Sequence, residues 1–182
     1  MSRRPEFNPA MERLLAFAAL PSGSGQALDA GCGNGRVAAR LAQEGWRVTA
    51  ADRRAERTWT GLNKVSFREI DLFKLDLVNP FDLVCLFGVL HYAGTAQRTR
   101  DLVARACGWA APSSRLVMSW ITDDHPHPDP SAHLPARALV RDALEANGFR
   151  IKDWFETEIE HAHGGLPLHR HRLVYLAARA PS

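Results

Sequence analysis

Residues 26–36 read QALDAGCGNGR, a short apolar strand that runs into a glycine cluster and the start of a helix. Gly31, Gly33 and Gly35 occupy alternate positions after Asp29. Glycine suits a backbone that turns sharply or that must admit a ligand without a Cβ atom in the way. The following helix presents free N–H groups and a partial positive charge, which attract a carboxylate or a phosphate. The stretch therefore predicts a ligand-binding turn between a strand and a helix.

A second acid ends the next predicted strand. Asp52 directly follows the apolar run 47–51, where a carboxylate can accept hydrogen bonds from both hydroxyls of a ribose. Nicotinamide enzymes use the spacing G-x-G-x-x-G, whereas these glycines follow G-x-G-x-G with an acid two residues before the first. Such an acid suits the ammonium of an amino-acid-like ligand better than a pyrophosphate. A dinucleotide site and a turn without a ligand remain alternatives.

The rest of the chain alternates strands with helices. Helices are predicted over 9–20, from Val37 to a cap at Gly45, over 95–110 and over 134–147, and strands over 26–30, 47–51, 65–70, 82–87, 115–121, 149–161 and 168–179. The sequence HGGLP at 163–167 indicates a hairpin between the last two strands. This order predicts a doubly wound, Rossmann-like α/β sheet of seven strands, mostly parallel, with an antiparallel last strand.

The connection after Asp52 is short. Residues 53–64 leave room for a turn or two of helix, so we expect Arg53, Arg54 and Trp59 to lie near the bound ligand.

Composition is that of an ordinary globular protein. Of the 182 residues, 46% are hydrophobic, and the net charge is +3 without any Lys/Arg run longer than two. We therefore expect neither a nucleic-acid partner nor a membrane partner. The N-terminus lacks the apolar core of a secretory signal, and three scattered cysteines (Cys32, Cys85 and Cys107) fit reduced thiols. The prediction is one cytoplasmic domain over 1–182, with an N-terminal helix in 1–22 and a C-terminal hairpin in 149–180.

The segment ALDAGCGNGRVAARLAQEGWRVTAADRR resembles the opening of class I S-adenosylmethionine-dependent methyltransferases. The match continues through REIDLF (68–73) and FDLVCLFGVLHY (81–92). The run 160–179, EHAHGGLPLHRHRLVYLAAR, is similar to the ending of tellurite-resistance-type methyltransferases and related small type-11/12 enzymes. The resemblance implies strand order 3-2-1-4-5-7-6, S-adenosylmethionine as cofactor and S-adenosylhomocysteine as product.

The resemblance also implies a cofactor site, composed of Asp29, Gly31, Cys32, Gly33, Asp52, Arg53, Asp71, Leu72, Phe87 and Gly88. In it, Asp29 and the glycines hold the methionine part, and Asp52 holds the ribose. Asp71 bonds the adenine amine and Leu72 packs on the ring, while Phe87 and Gly88 wall the pocket.

All eight histidines are predicted at the carboxyl edge of the parallel strands, where ligands of such sheets bind: His91, His125, His127, His133, His161, His163, His169 and His171. They suit general acid–base chemistry near neutral pH, metal binding, or a polar loop surface. Because no acid or cysteine joins them at ligand spacing, no metal site is predicted. We expect His91, His161 and His169 to be catalytic, in an acceptor pocket formed by the loop 122–133 and the hairpin 161–171.

The position after the fourth strand bears on the methyl acceptor. Residues 86–91 read LFGVLH, without the Asn/Asp-Pro-Pro-aromatic turn of enzymes that methylate amines of bases. This favours a small-molecule acceptor with an oxygen, nitrogen, sulfur or metalloid-oxyanion nucleophile. A non-catalytic S-adenosylmethionine-binding protein remains the alternative, and the sequence indicates no oligomeric state.

Overall fold

The computed structural model describes residues 7–18, 25–54, 63–77, 80–122, 124, 132–161 and 167–182. The helices within these residues are α1 Pro9–Ala18, α2 Arg36–Gln43, α3 Ala96–Trp109 and α4 Arg137–Ala146, with a 3-10 helix at Leu90–Tyr92. The strands are β1 Gln26–Ala30, β2 Arg47–Asp52, β3 Val65–Glu69, β4 Phe81–Phe87, β5 Ala110–Ile121, β6 Arg150–His161 and β7 His169–Arg179. None of the helices in these ranges has the length and apolarity needed to cross a membrane.

The strands form one sheet in the order β3-β2-β1-β4-β5-β7-β6. The first five strands pair in parallel, whereas β7 is antiparallel to both β5 and β6. The predicted fold class and strand order are confirmed. Because β1, β2, β3 and β4 pair in parallel, their carboxyl ends lie at one edge of the sheet.

Helices cover both faces of the sheet. On one face, Leu14 of α1 and Leu41 of α2 pack with Leu83 and Val117. On the other face, Leu102 of α3 and Leu144 of α4 pack in a second hydrophobic core, against the side chains that the strands present there. Strand β4 reads FDLVCLF and is almost wholly buried, as expected of a strand covered on both faces.

Two predicted boundaries were wrong. Strand β5 begins at Ala110 instead of Arg115, because its pairing with β4 resumes after a register shift and already joins Ala110 to Phe81. Helix α4 begins at Arg137 instead of Leu134. The Trp120 indole N–H donates to the Pro135 carbonyl at 3.1 Å, and Ala136 is extended, which delays the helix.

The terminal hairpin projects past the carboxyl edge. Pairing of β5 with β7 ends at Ile121 and Leu173, whereas pairing of β6 with β7 continues to His161 and His169. At about 3.4 Å per residue, the four residues from Leu173 to His169 carry this ladder roughly 14 Å farther. The hairpin therefore places its histidine-rich end beyond the neighbouring strand.

Candidate active site

The glycine loop at the end of β1 requires glycine at its first position. Gly31 has a φ of +78°, and a Cβ atom there would lie 2.3 Å from Cγ2 of Val89. Its N–H donates to the Ala51 carbonyl at 2.7 Å. Left-handed backbone is unfavourable for other residues, and the contact with Val89 leaves no room for a side chain. Gly31 therefore allows the loop to pass between β2 and the segment after β4.

Gly33 differs from Gly31 because no atom lies next to the position of its missing side chain. It has a φ of +50°, and nothing lies within 4 Å of the position that a Cβ atom would take. Its N–H donates to Oδ2 of Asp52 at 2.9 Å, and the Arg54 N–H donates to Oδ1 of the same carboxylate at 3.1 Å. Asp52 thus orders both the loop and the start of the following connection.

Asp29 lies beneath this loop. Its side chain is 2% exposed, and Oδ2 accepts the N–H of Ala38 in the first turn of α2 at 3.0 Å. Since Gly35, the N-cap residue, has no side chain to cap the helix, the Asp29 carboxylate takes that role. Burial raises the pKa of Asp29 to about 7, Asp52 adds to the rise, and the Ala38 hydrogen bond opposes it.

The turn after β3 forms the opposite wall. The N–H of Phe73 donates to Oδ1 of Asp71 at 2.9 Å, and the N–H of Lys74 donates to the Asp71 carbonyl at 2.8 Å. From α3, the Arg105 guanidinium donates to the carbonyls of Leu72 and Leu75 at 3.1 and 2.8 Å. These bonds tie the turn to α3 and so determine where the Asp71 carboxylate stands.

A cavity of about 540 Å³ lies between these walls. Its lining residues are Gly31, Gly33, Asp52, Arg53, Arg54, Asp71, Leu72, Phe73, Phe87, Gly88, Val89, Tyr92, Ala93, Arg98 and Leu102. All residues predicted for the cofactor site are in this set except Asp29 and Cys32, which are buried behind it. Sequence reasoning missed Arg98, whose guanidinium carbon lies 3.9 Å from the centroid of the Phe73 ring. The sequence did hold a signal for Arg98, because it lies in the first turn of a helix that begins near the carboxyl edge of the sheet.

His91 stands directly behind the cavity wall. It is 8% exposed, its Cε1 atom lies 4.0 Å from the Cβ position of Gly88, and its ring centroid is 4.2 Å from that of Tyr92. Tyr92 is 68% exposed and lines the cavity. A shift of the 3-10 helix that carries both residues would move the imidazole relative to the cavity.

The hairpin histidines are separated from His91 by β5. Nε2 of His169 lies 2.8 Å from Nε2 of His171, and the backbone of His161 pairs with that of His169. The structure thus brings two of the predicted catalytic residues together on one ladder and leaves His91 at the end of β4. Among the described residues, no group of three or more His, Cys, Asp or Glu side chains could hold a metal ion.

Part of the predicted acceptor pocket lies outside the described residues. This holds for 123, 125–131 and 162–166, which include His125, His127 and His163. Trp59, which was predicted to lie near the bound ligand, also falls outside the described residues. The residues flanking the gap after β5 are described. Arg137 pairs with Asp124 and, at 2.6 Å, with Glu156, while Trp120 is fully buried in the core.

Residues 27–113, which carry the glycine loop and both cavity walls, match the family described as Methyltransferase domain. These residues carry a methyltransferase domain. The methyltransferase domain predicted from the sequence is therefore confirmed.

Solved structures share the fold over most of the chain. A 1,6-didemethyltoxoflavin-N1-methyltransferase from Burkholderia thailandensis, with bound 1,6-didemethyltoxoflavin and S-adenosylhomocysteine, is 24% identical, with a TM-score of 0.71 over 96% of this chain and 79% of its own. TehB from Haemophilus influenzae is 17% identical, with a TM-score of 0.75 over 93% of this chain and 62% of its own. At these identities the likeness establishes the fold.

A curated relative is similar over a short stretch. The S-adenosyl-L-methionine-dependent Diels-Alderase iliD from Neonectria sp. (strain DH2) is 62% identical over 40 residues, which are 22% of this chain. The match spans 16% of that protein's length.

Proposed function

We propose that this chain binds S-adenosylmethionine in the 540 Å³ cavity and transfers its methyl group to a small-molecule acceptor. The observation that carries the proposal is the pairing of an open glycine with two carboxylates. Gly33 faces empty space where any side chain would intrude, and Asp52 and Asp71 stand on the walls of the same cavity. The proposal includes a single domain over 1–182 that acts in the cytoplasm.

The residues present fit this cofactor. Asp52 can accept from the ribose hydroxyls through lone pairs that remain beside its two backbone hydrogen bonds. Asp71 can accept from the adenine amine, with Leu72 and Phe73 as the apolar surface for the ring. When bound, S-adenosylmethionine supplies a methyl group on an electrophilic sulfonium, and S-adenosylhomocysteine remains.

Asp29 would contribute indirectly. Its carboxylate is bonded to Ala38 and buried, so we propose that it supports the loop that surrounds the methionine part. The Cys32 side chain, within the loop, is also buried. Burial, with the charges of Asp29 and Asp52 adding, raises the pKa of its thiol to about 12. A thiol that stays protonated is a poor nucleophile, so Cys32 would act through packing.

Acceptor binding is proposed for the side of the cavity beyond Gly88. Tyr92 offers an exposed aromatic surface there, and His91 adjoins the wall. His91, His161 and His169 are the candidates for accepting a proton from the nucleophile. Most of the acceleration would come from holding acceptor and methyl group in line, because that alignment replaces a bimolecular encounter.

Two measurements test the proposal. Calorimetry with S-adenosylhomocysteine should show binding that NAD does not reproduce. A panel of small acceptors with oxygen, nitrogen, sulfur or oxyanion nucleophiles should then release S-adenosylhomocysteine. NAD binding without binding of the adenosyl ligand would indicate an oxidoreductase and would refute the cofactor assignment.

Binding without turnover on any acceptor would refute the methyl-transfer step alone. That outcome would favour a binding protein, or a cofactor-dependent reaction of another kind, such as the one for which the Diels-Alderase from Neonectria is named. His91→Gln separates the roles further. If His91 serves the acceptor, turnover falls while S-adenosylhomocysteine affinity stays within about twofold.

A further inference from the structure

Two imidazoles converge at the start of β7. Nε2 of His169 lies 2.8 Å from Nε2 of His171, the ring centroids are 4.4 Å apart, and the ring planes cross at 82°. Alternate residues of a strand share a face, so the strand itself holds both rings on one side of the hairpin. His171 is 1% exposed and His169 is half-buried, which limits the freedom of the pair.

The outer hydrogen bond of His169 determines which nitrogen holds its proton. Nδ1 lies 2.5 Å from the Pro167 carbonyl oxygen, which can only accept, so Nδ1 carries the hydrogen and Nε2 keeps a lone pair. A backbone carbonyl on the far nitrogen is also the usual outer contact of a metal-binding histidine. Nε2 of His171 then donates to Nε2 of His169 when no cation is present.

We propose that His169 and His171 are two ligands of a divalent transition-metal site on the hairpin, outside the lining of the cofactor cavity. In this arrangement His169 binds the metal, and His91 is the candidate that accepts a proton from the nucleophile. Metal–imidazole bonds of about 2.1 Å to nitrogens 2.8 Å apart give an N–metal–N angle of roughly 84°. An angle near 90° suits the octahedral or tetragonal coordination of Ni²⁺ and Cu²⁺ better than tetrahedral Zn²⁺. His171 frees its Nε2 lone pair by carrying its hydrogen on Nδ1, so the neutral pair releases no proton.

Charged side chains alternate with the two histidines along β7 and therefore lie on the opposite face of the strand. The Arg170 and Arg172 cations there are paired with acids: Arg170 with Glu160 at 3.2 Å and Arg172 with Glu158 at 3.3 Å. Those pairs moderate the repulsion that a bound cation would meet.

The first test is titration of the full, tag-free chain with Ni²⁺ by calorimetry. His169→Gln and His171→Gln should each weaken binding at least tenfold. His133→Gln is the matched control and should leave the affinity unchanged. Each variant is checked by thermal unfolding and by S-adenosylhomocysteine binding, because His171 is buried.

The second test uses the unmodified chain, so it does not depend on any variant folding. One equivalent of Cu²⁺ should give an electron paramagnetic resonance spectrum with coupling to two imidazole nitrogens. A spectrum of oxygen ligands alone would overturn the proposal. So would equal Ni²⁺ affinities in the original chain and a folded His169→Gln variant. Neither readout depends on methyl transfer.

Discussion

Oδ2 of Asp52 accepts the N–H of Gly33 at 2.9 Å, so the acid that ends β2 is bonded to the loop that ends β1. This bond joins the proposed ribose ligand to the backbone that faces the cavity. A change at Asp52 therefore affects the cofactor contact and the shape of the loop at once.

Asp52→Ala should weaken S-adenosylhomocysteine binding by about 1.5 to 3 kcal/mol, the usual contribution of hydrogen bonds to a charged acceptor. Isothermal calorimetry measures the change. Asp142→Ala is the control, because Asp142 is an exposed acid on α4 that pairs with Arg141. Normal affinity in the Asp52 variant would mean that the ribose binds elsewhere.

Gly31→Ala and Gly33→Ala should affect protein stability and cofactor affinity to different extents. At Gly33 the new methyl group meets no atom, so the free energy of unfolding falls only by the strain of a left-handed alanine, about 1 to 2 kcal/mol. Cofactor affinity falls as well, because the methyl group enters the cavity. At Gly31 the clash with Val89 adds to that cost, giving about 3 kcal/mol or more.

Urea unfolding measures both losses, and adding Val89→Ala should restore part of the stability of Gly31→Ala. A Gly31→Ala protein as stable as Gly33→Ala would show that the segment after β4 moves aside at little cost.

Asp29 should make the protein less stable as the pH rises. Its pKa is raised from 3.8 to about 7, so the folded state holds the proton more tightly than the unfolded chain does. The contribution to the free energy of unfolding is complete below about pH 4 and is lost by about pH 7, a decline of at most about 4 kcal/mol. Asp29→Asn, which keeps an oxygen for the Ala38 N–H, should flatten this decline.

Urea unfolding of both proteins at pH 5 and pH 8 gives the comparison. Equal pH dependence in the two proteins would exclude Asp29 as its source.

Arg105→Ala should lower cofactor affinity from outside the cavity. It removes the donors to the carbonyls of Leu72 and Leu75, which loosens the turn that presents Asp71. We expect S-adenosylhomocysteine affinity to fall about three- to tenfold, in line with 0.5 to 1.5 kcal/mol for a typical hydrogen bond. Arg100→Ala, an exposed arginine on the same helix, should have no effect. Equal affinities in both variants would show that the turn is held without α3.

Local sequence pattern predicts much of the fold and part of the candidate site. The glycine spacing after Asp29, the acid after 47–51 and the alternation of apolar runs predict a mostly parallel α/β sheet with a ligand-binding turn after β1. These features are local because backbone conformation, burial of a strand and the edge to which a strand points depend on a few neighbouring residues. Gly31, Gly33 and Asp52, which these local features point to, line the cavity. The strand order and the places of Asp71 and Gly88 in the site were implied by the resemblance to class I methyltransferases.

Other features depend on how the elements pack and on where their side chains point. The Asp29 carboxylate caps α2 because the helix begins above it, and Arg98 and Leu102 reach the cavity because α3 crosses the end of β4. The near contact of the His169 and His171 rings depends on the twist of the hairpin and on the Pro167 carbonyl. Periodicity assigns a residue to a face of the sheet, but the distance and direction between two side chains come from packing across elements.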